Sequence, residues 1–155
     1  MVYITRRERF TAAHRLFRED YSDKKNLEIF GKCSNPNWHG HNYQLFVTVK
    51  GDINPATGFL INLVELKKIV HHKIIDKVDH KNLNLEVDFM KDKITSTEML
   101  TIAIWNELEQ EINEMGAQLH CVKISETMYT EDDLLYNQNV NKYLRYDQTL
   151  RRIND

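Results

Sequence analysis

One stretch of sequence decides the fold, HGHNYQLFVTVKG at residues 39–51. Its odd-numbered positions carry two histidines, a tyrosine and three aliphatic residues, whereas most even-numbered positions, such as Asn42, Gln44 and Thr48, are polar. A period of two places successive side chains on opposite faces of a β-strand. The stretch therefore predicts a strand with one apolar and one polar face.

The segment before this strand also alternates. From Val2 to about Leu16, one face carries Phe10, Ala12, His14 and Leu16, which predicts a first strand. Between the two strands, residues 21–37 end in turn residues without apolar periodicity. We expect this connection to be a functional loop.

Two helices are predicted after the second strand. Asn62 and Glu65 form a helix-start pattern, and apolar residues follow at helical spacing to about Lys77. Thr95 and Glu98 repeat this pattern before a second apolar stripe, which ends at residue 116, a glycine. Both segments are therefore predicted to be amphipathic helices.

Extended patterns return near the end of the chain. Residues 119–128 alternate, and residues 134–136 can pair with them as a fourth strand. The order β-β-α-α-β-β predicts an α+β fold, a four-stranded antiparallel sheet with two helices on one face. We expect a single domain over 1–136 and a polar C-terminal extension over 137–155, either a short helix or disordered.

The composition excludes several classes of function. The chain has 155 residues, 41% of them hydrophobic, and a net charge of −2 from 21 Lys and Arg against 23 Asp and Glu. This balance argues against nucleic acid or an anionic membrane as a partner. No apolar run approaches the length of a membrane span and the N-terminus does not resemble a signal peptide, so we expect a cytoplasmic protein.

The strongest chemical signal lies at the start of the second strand. His39 and His41 are two residues apart, so their imidazoles share one face, and Gly40 between them permits a close approach to the backbone. His14 on the first strand completes a set of three. Three neutral imidazoles with an open fourth position are typical of catalytic zinc. The alternative is a chance pair of histidines on a half-exposed strand.

The two cysteines call for different interpretations. Cys33 lies six residues before His39 in a turn-rich segment. Near a zinc ion its thiol pKa is expected to fall, which makes it a candidate base or nucleophile, or a fourth zinc ligand. Cys121 lies in an alternating segment, and we interpret it as a small buried apolar residue.

Two further places carry acidic groups suited to chemistry. Glu126 shares a strand face with Val122 and Ile124, where a carboxylate needs a partner. A carboxylate there can accept hydrogen bonds from two N–H groups of a planar guanine-like or pterin ring. The alternative is that Glu126 forms an ion pair with a core-facing Lys or Arg. Asp79 and His80 are adjacent after the first helix, so the carboxylate can tune the imidazole for proton transfer, or both can be solvated.

These residues form an ordered set of motifs. They are FTAAHRL (10–16), GKCSNPNWHGHNY (31–43), DINPATG (52–58), DHKNL (79–83), TSTE (95–98) and SET (125–127). From about residue 3 to residue 136 the chain resembles the 6-pyruvoyl tetrahydropterin synthase family. One departure is Trp38, at a position that is commonly glycine in animal members.

The resemblance implies the tunnelling fold (T-fold), in which three subunits close their sheets into a barrel, two trimers stack into a hexamer, and active sites lie between subunits. It also implies a pterin triphosphate substrate and roles for the matching residues. By this resemblance, zinc is bound by His14, His39 and His41, and Cys33 abstracts a proton. Asp79 and His80 are implied to assist proton transfer. Glu126 is implied to anchor the pterin, with Thr97 and Glu98 as neighbours in the pocket.

Two other functions remain open on the sequence. The first is a 6-carboxytetrahydropterin synthase of queuosine-precursor biosynthesis, which shares the fold, zinc and catalytic residue types. The spacing of five residues between Cys33 and His39 resembles the 6-pyruvoyl enzymes more closely. The second is a non-catalytic barrel protein that binds pterins, against which the complete set of Cys33 and three histidines argues.

Overall fold

A computed structural model describes residues 1–126 and the backbone of residues 133–136 and 145–146. Its strands are β1 (Val2–His14), β2 (His39–Gly51), β3 (Lys81–Asn82), β4 (Gln118–Glu126), β5 (Asp133–Tyr136) and β6 (Arg145–Tyr146). The predicted alternation over residues 39–51 is a strand with those same bounds. The first strand ends at His14, two residues earlier than predicted.

The strands form one sheet in the order β3-β1-β2-β4-β5-β6. β1 and β2 pair antiparallel along their whole length, from Val2 opposite Gly51 to His14 opposite His39. The predicted pairing of residues 134–136 with the preceding long strand is confirmed. The sheet is mixed rather than purely antiparallel, because β3 runs parallel to β1.

The α+β class is confirmed, with helices α1 (Asp23–Phe30), α2 (Leu63–Val70), α3 (Asp76–Val78) and α4 (Thr97–Glu114). A π-helical turn, His71–Ile75, joins α2 to α3, so the first predicted helix is continuous but has an irregular middle. α4 starts one residue later than predicted. Ser96, not Thr95, is its N-cap and accepts a hydrogen bond from the Met99 amide.

The prediction of a loop over residues 21–37 is wrong in part, because the segment contains α1 and a 3-10 turn, Gly31–Ser34. Side-chain contacts with the backbone stabilise it. Ser22 caps α1 through the Lys25 amide, and the buried Asn26 side chain donates to the carbonyls of Arg18 and Tyr21. Such contacts leave no apolar period in the sequence.

The hydrophobic core lies between one face of the sheet and the helices. Tyr43, Leu45, Val47 and Val49 on β2 are buried, and so are Leu66 on α2 and Ile104 on α4. The opposite face, which we call the open face, carries polar residues such as Arg7, Arg9 and Gln44. Cys121 lies half-buried opposite Thr48 on this face, so its assignment to the core is wrong.

Beyond residue 126, the structure describes only residues 133–136 and 145–146. Met128, the predicted end of the strand, lies outside the described residues, as does most of the extension over 137–155. Within that extension, residues 145–146 pair with β5 as a strand. Among the described residues, no helix is both long and apolar enough to cross a membrane.

Candidate metal centre and active site

The three predicted histidines lie together at one end of the sheet. His14 is opposite His39 in the last pair of the β1–β2 register, and His41 is opposite Ala12 in the same ladder. One ring nitrogen of each histidine lies within 4.8 Å of the others. The strand period aligns His39 with His41, and the register of β1 adds His14.

The buried His14 side chain is oriented by a backbone carbonyl. Its Nδ1 lies 2.8 Å from the Thr95 carbonyl oxygen, and because a carbonyl only accepts, Nδ1 carries the proton. In the neutral ring Nε2 then presents its lone pair to the other histidines, 3.1 Å from His39 Nε2. Such an outer contact is typical of a metal-binding histidine.

Burial favours the neutral form of these rings. Desolvation lowers the pKa of His14, His39 and His41, although the charge of Glu126 acts in the opposite direction on each. The neutral imidazole is the form that binds a metal ion. The cluster therefore offers three nitrogen ligands at neutral pH.

Glu126, the last residue of β4, extends the site. Its Oε1 lies 3.0 Å from His41 Nε2 and 3.7 Å from His14 Nε2. Its Oε2 accepts a hydrogen bond from the Thr97 hydroxyl at the first turn of α4. The carboxylate thus has partners within the site itself, as its interpretation as a pocket group requires. Glu98, the next residue of α4, is exposed.

Cys33 lies in the 3-10 turn that precedes β2 and is half-buried. The turn is tied to the chain leaving β1, because the Leu16 amide donates to the Cys33 carbonyl at 2.8 Å. Cys33 lies outside the described cluster that can hold a metal ion.

The expected fall of the Cys33 pKa does not arise from the protein groups. Burial raises the pKa of the thiol, and the negative charge of Glu126 raises it further. A divalent cation held by the three histidines would act in the opposite direction.

Asp79 and His80 lie elsewhere, along the outer edge of β1. Asp79 Oδ1 accepts from the Thr11 amide at 2.8 Å and lies 3.1 Å from His80 Nδ1. The His80 side chain is 81% exposed. Both residues border a depression of about 390 Å³ shared with the open-face residues Arg9 and Gln44. Within one chain they form a second polar surface, separate from the histidine cluster.

Thr95 has a positioning role that the sequence reasoning missed. The residue is buried, its carbonyl accepts a hydrogen bond from His14 Nδ1, and its hydroxyl donates to the Arg15 carbonyl. The pattern TSTE at 95–98 predicts a helix start and is one of the family motifs, but it gives Thr95 no role at the histidines. A cap pattern beginning one residue later, at Ser96, leaves Thr95 available for another role.

The chain is similar to named proteins over most of its length. The family profile for 6-pyruvoyl tetrahydropterin synthase matches residues 3–131. The human protein named 6-pyruvoyl tetrahydrobiopterin synthase is 46% identical over 124 residues, which are 80% of this chain and 84% of the human one. The Drosophila melanogaster protein of that name is 41% identical over 82% of this chain and 75% of its own length.

A solved structure and a second kind of relative complete the comparison. The structure of Caenorhabditis elegans 6-pyruvoyl tetrahydropterin synthase superimposes with a TM-score of 0.79 at 37% identity, over 88% of this chain and 94% of that one. A Bacillus subtilis 6-carboxy-5,6,7,8-tetrahydropterin synthase is 33% identical over 63% of this chain and 64% of its own. The chain therefore belongs to the 6-pyruvoyl tetrahydropterin synthase family.

Proposed function

We propose that the protein is a zinc-dependent 6-pyruvoyl tetrahydropterin synthase, a carbon–oxygen lyase that converts 7,8-dihydroneopterin triphosphate into 6-pyruvoyl tetrahydropterin and triphosphate. The observation that carries the proposal is the convergence of three histidine nitrogens beside the Glu126 carboxylate. A metal ligand set and a pterin-binding carboxylate then share one site. We assign this activity to the domain over 1–136 in the cytoplasm.

The donor set suits zinc. Three imidazoles with an open fourth position match a catalytic zinc site, and the contact of His14 with Thr95 supplies the outer partner that orients a ligand. When bound, zinc would supply a Lewis acid that polarises an oxygen of the substrate side chain. His14, His39 and His41 are the proposed ligands.

Cys33 is the proposed proton acceptor. Its thiolate takes a proton from a side-chain carbon of the substrate, triphosphate leaves, and an internal rearrangement reduces the ring while oxidising the side chain. The electrons stay within the substrate, so no external redox cofactor enters the balance. Asp79 and His80 assist proton transfer, since the carboxylate is within 3.1 Å of the imidazole.

Glu126 is the proposed pterin anchor. An ionised carboxylate accepts two N–H bonds from the amidine edge of a pterin, and such charge-assisted pairs are strong. Thr97, whose hydroxyl contacts Glu126, is a second proposed ligand contact. Glu98, the next residue of α4, is exposed and is the third.

A closed homo-oligomer, a hexamer of two trimers, is the proposed assembly. Closure of several sheets into a barrel would cover the open face and remove the free sheet edges. It would also give a reason for the separation of Asp79 and His80 from Cys33, because one subunit would supply the pair to the site of another. The active unit is then larger than one chain.

The 6-carboxy enzyme is the second candidate, since it shares the fold and the metal-binding residues. Two observations favour the 6-pyruvoyl product. Identity with the curated 6-pyruvoyl relatives is higher and extends over more of the chain than identity with the Bacillus subtilis 6-carboxy enzyme. A non-catalytic pterin-binding barrel would not need Cys33.

Product analysis tests the proposal. Purified zinc-loaded protein is incubated with 7,8-dihydroneopterin triphosphate under anaerobic conditions, and products are separated by liquid chromatography and identified by mass spectrometry. We expect 6-pyruvoyl tetrahydropterin and one equivalent of triphosphate. 6-Carboxytetrahydropterin as the main product would support the second candidate, and unchanged substrate bound to the protein would support the non-catalytic one.

A further inference from the structure

The hydroxyl of Tyr43 is buried beside the site without a hydrogen-bond partner. Tyr43 is only 1% exposed, and its oxygen contacts no donor or acceptor among the described residues. Burial of an unpaired hydroxyl is unfavourable because water no longer solvates it. Such groups in a folded protein require an explanation, and a ligand is one.

The ring of Tyr43 is held in place from two sides. It stacks on Phe10 with ring centroids 4.8 Å apart and an angle of 14° between the planes. Its centroid lies 6.0 Å from that of His41 and 6.4 Å from that of His14, both approached edge to face. The ring therefore forms a rigid wall between the core and the histidine cluster.

Tyr43 is also the neighbour of the proposed pterin anchor. It lies opposite Glu126 in the β2–β4 register, and side chains at directly opposed positions share a face with Cβ atoms about 4.5–5.5 Å apart. Glu126 and Cys33 each act electrostatically on the Tyr43 hydroxyl. Tyr43 is thus a cross-strand neighbour of Glu126, the residue proposed to anchor the ring.

We propose that the Tyr43 hydroxyl donates a hydrogen bond to the ring carbonyl of the bound pterin and so adds to the affinity for the ring. The inference rests on the proposed function, in which Glu126 pairs with the N–H groups of that ring. A pterin edge carries those N–H donors directly beside the carbonyl acceptor. Glu126 as acceptor and Tyr43 as donor match this order.

The carbonyl needs a donor that Glu126 cannot supply. An ionised carboxylate only accepts, so it pairs with the ring N–H groups and leaves the carbonyl oxygen to another group. The Tyr43 hydroxyl can donate and has no hydrogen-bond partner among the described residues. Tyr43 is therefore a residue that binds the ring, distinct from the proton-transferring groups.

The test compares Tyr43→Phe with the wild type and with the control Tyr3→Phe, which removes a hydroxyl from an exposed side chain. The zinc-loaded proteins are titrated with neopterin, and binding is followed by pterin fluorescence. We expect Tyr43→Phe to bind neopterin about 5- to 20-fold more weakly. The control is expected to bind neopterin like the wild type.

A structural role for the hydroxyl would give a different result. Phenylalanine keeps the stacked ring, so we expect an unchanged zinc content and a melting temperature of the free protein that is not lowered. We also expect the KM for 7,8-dihydroneopterin triphosphate to rise more than kcat falls, as for lost ground-state binding.

Two results would overturn the inference. They are an unchanged affinity for neopterin and a lowered melting temperature of the free variant, which would mean that the hydroxyl stabilises the fold. Failure of the proposed function looks different, because the wild type itself would then neither bind neopterin nor convert the triphosphate.

Discussion

Glu126 Oε1 lies 3.0 Å from His41 Nε2, so the end of β4 and the start of β2 bring a carboxylate and an imidazole into one small space. The carboxylate attracts the cation that the histidines are suited to bind, and it raises the pKa of Cys33. In the proposed function, metal binding, acidity of the thiol and pterin binding are coupled through this one side chain, and each can be tested separately.

Loss of one histidine is expected to release the metal. In His39→Ala two imidazoles remain, too few for a stable zinc site, so we expect the zinc content to fall from about one per chain to a small fraction. Elemental analysis by mass spectrometry after dialysis measures this. The control is His72→Ala, which changes an exposed histidine on the π-helical turn. Full zinc content in His39→Ala would contradict the assignment.

Cys33→Ala separates a base from a ligand. We expect the variant to keep its fold and zinc but to lose turnover by about three or more orders of magnitude, because a missing base affects the transition state rather than metal binding. Cys121→Ala, on the open face, is the matched control and should remain active. Loss of zinc together with activity would make Cys33 a ligand instead.

Glu126→Gln tests the pterin anchor. An amide offers one acceptor and one donor where the carboxylate offers two acceptors, so one N–H of the pterin is left unpaired. We expect affinity for neopterin to fall by about 2–4 kcal/mol, or about 30- to 1,000-fold, by calorimetry. Glu65→Gln, on the exposed surface of α2, should bind normally. Unchanged affinity of Glu126→Gln would move the anchor elsewhere.

Mixing two inactive variants tests whether sites are shared between subunits. If one chain supplies Cys33 and another supplies His80, random hybrids of Cys33→Ala and His80→Ala contain about a quarter of intact sites, and this fraction of activity returns. The variants are unfolded together, refolded and assayed, with each variant refolded alone as the control. No recovery, or a fully active species with a mass near 18.5 kDa by light scattering, would contradict a shared site.

The histidine cluster predicts how stability depends on pH. Burial lowers the pKa of His14, His39 and His41 in the folded chain, whereas in the unfolded chain each titrates near 6.5. Below about pH 6.5 the unfolded state binds more protons, so stability is complete above that pH and falls as the pH decreases.

Melting temperatures of the metal-stripped protein between pH 8 and pH 5.5 measure this effect. The double variant His39→Ala, His41→Ala is the control and should show a smaller decrease over this range. A melting temperature that rises on acidification of the wild type would show that the histidines gain rather than lose protonation on folding.

The sequence by itself determined the strands and the features that follow from their period. Alternation over residues 39–51 places His39, His41 and Tyr43 on the buried face, because a strand cannot turn neighbouring odd positions to different faces. The helical segments that follow Asn62 and Ser96 were also predictable, since their apolar stripes have helical spacing. Local rules of this kind require no knowledge of distant residues.

The tertiary structure decided what lies opposite what. His14 completes the cluster only because the β1–β2 register ends with His14 opposite His39, and Glu126 joins it through the pairing of β4 with β2. Asp79 lies along the edge of β1 because its side chain accepts a hydrogen bond from the Thr11 amide. The pKa of Cys33 depends on burial and on Glu126, contacts between residues far apart in sequence, which no local pattern encodes.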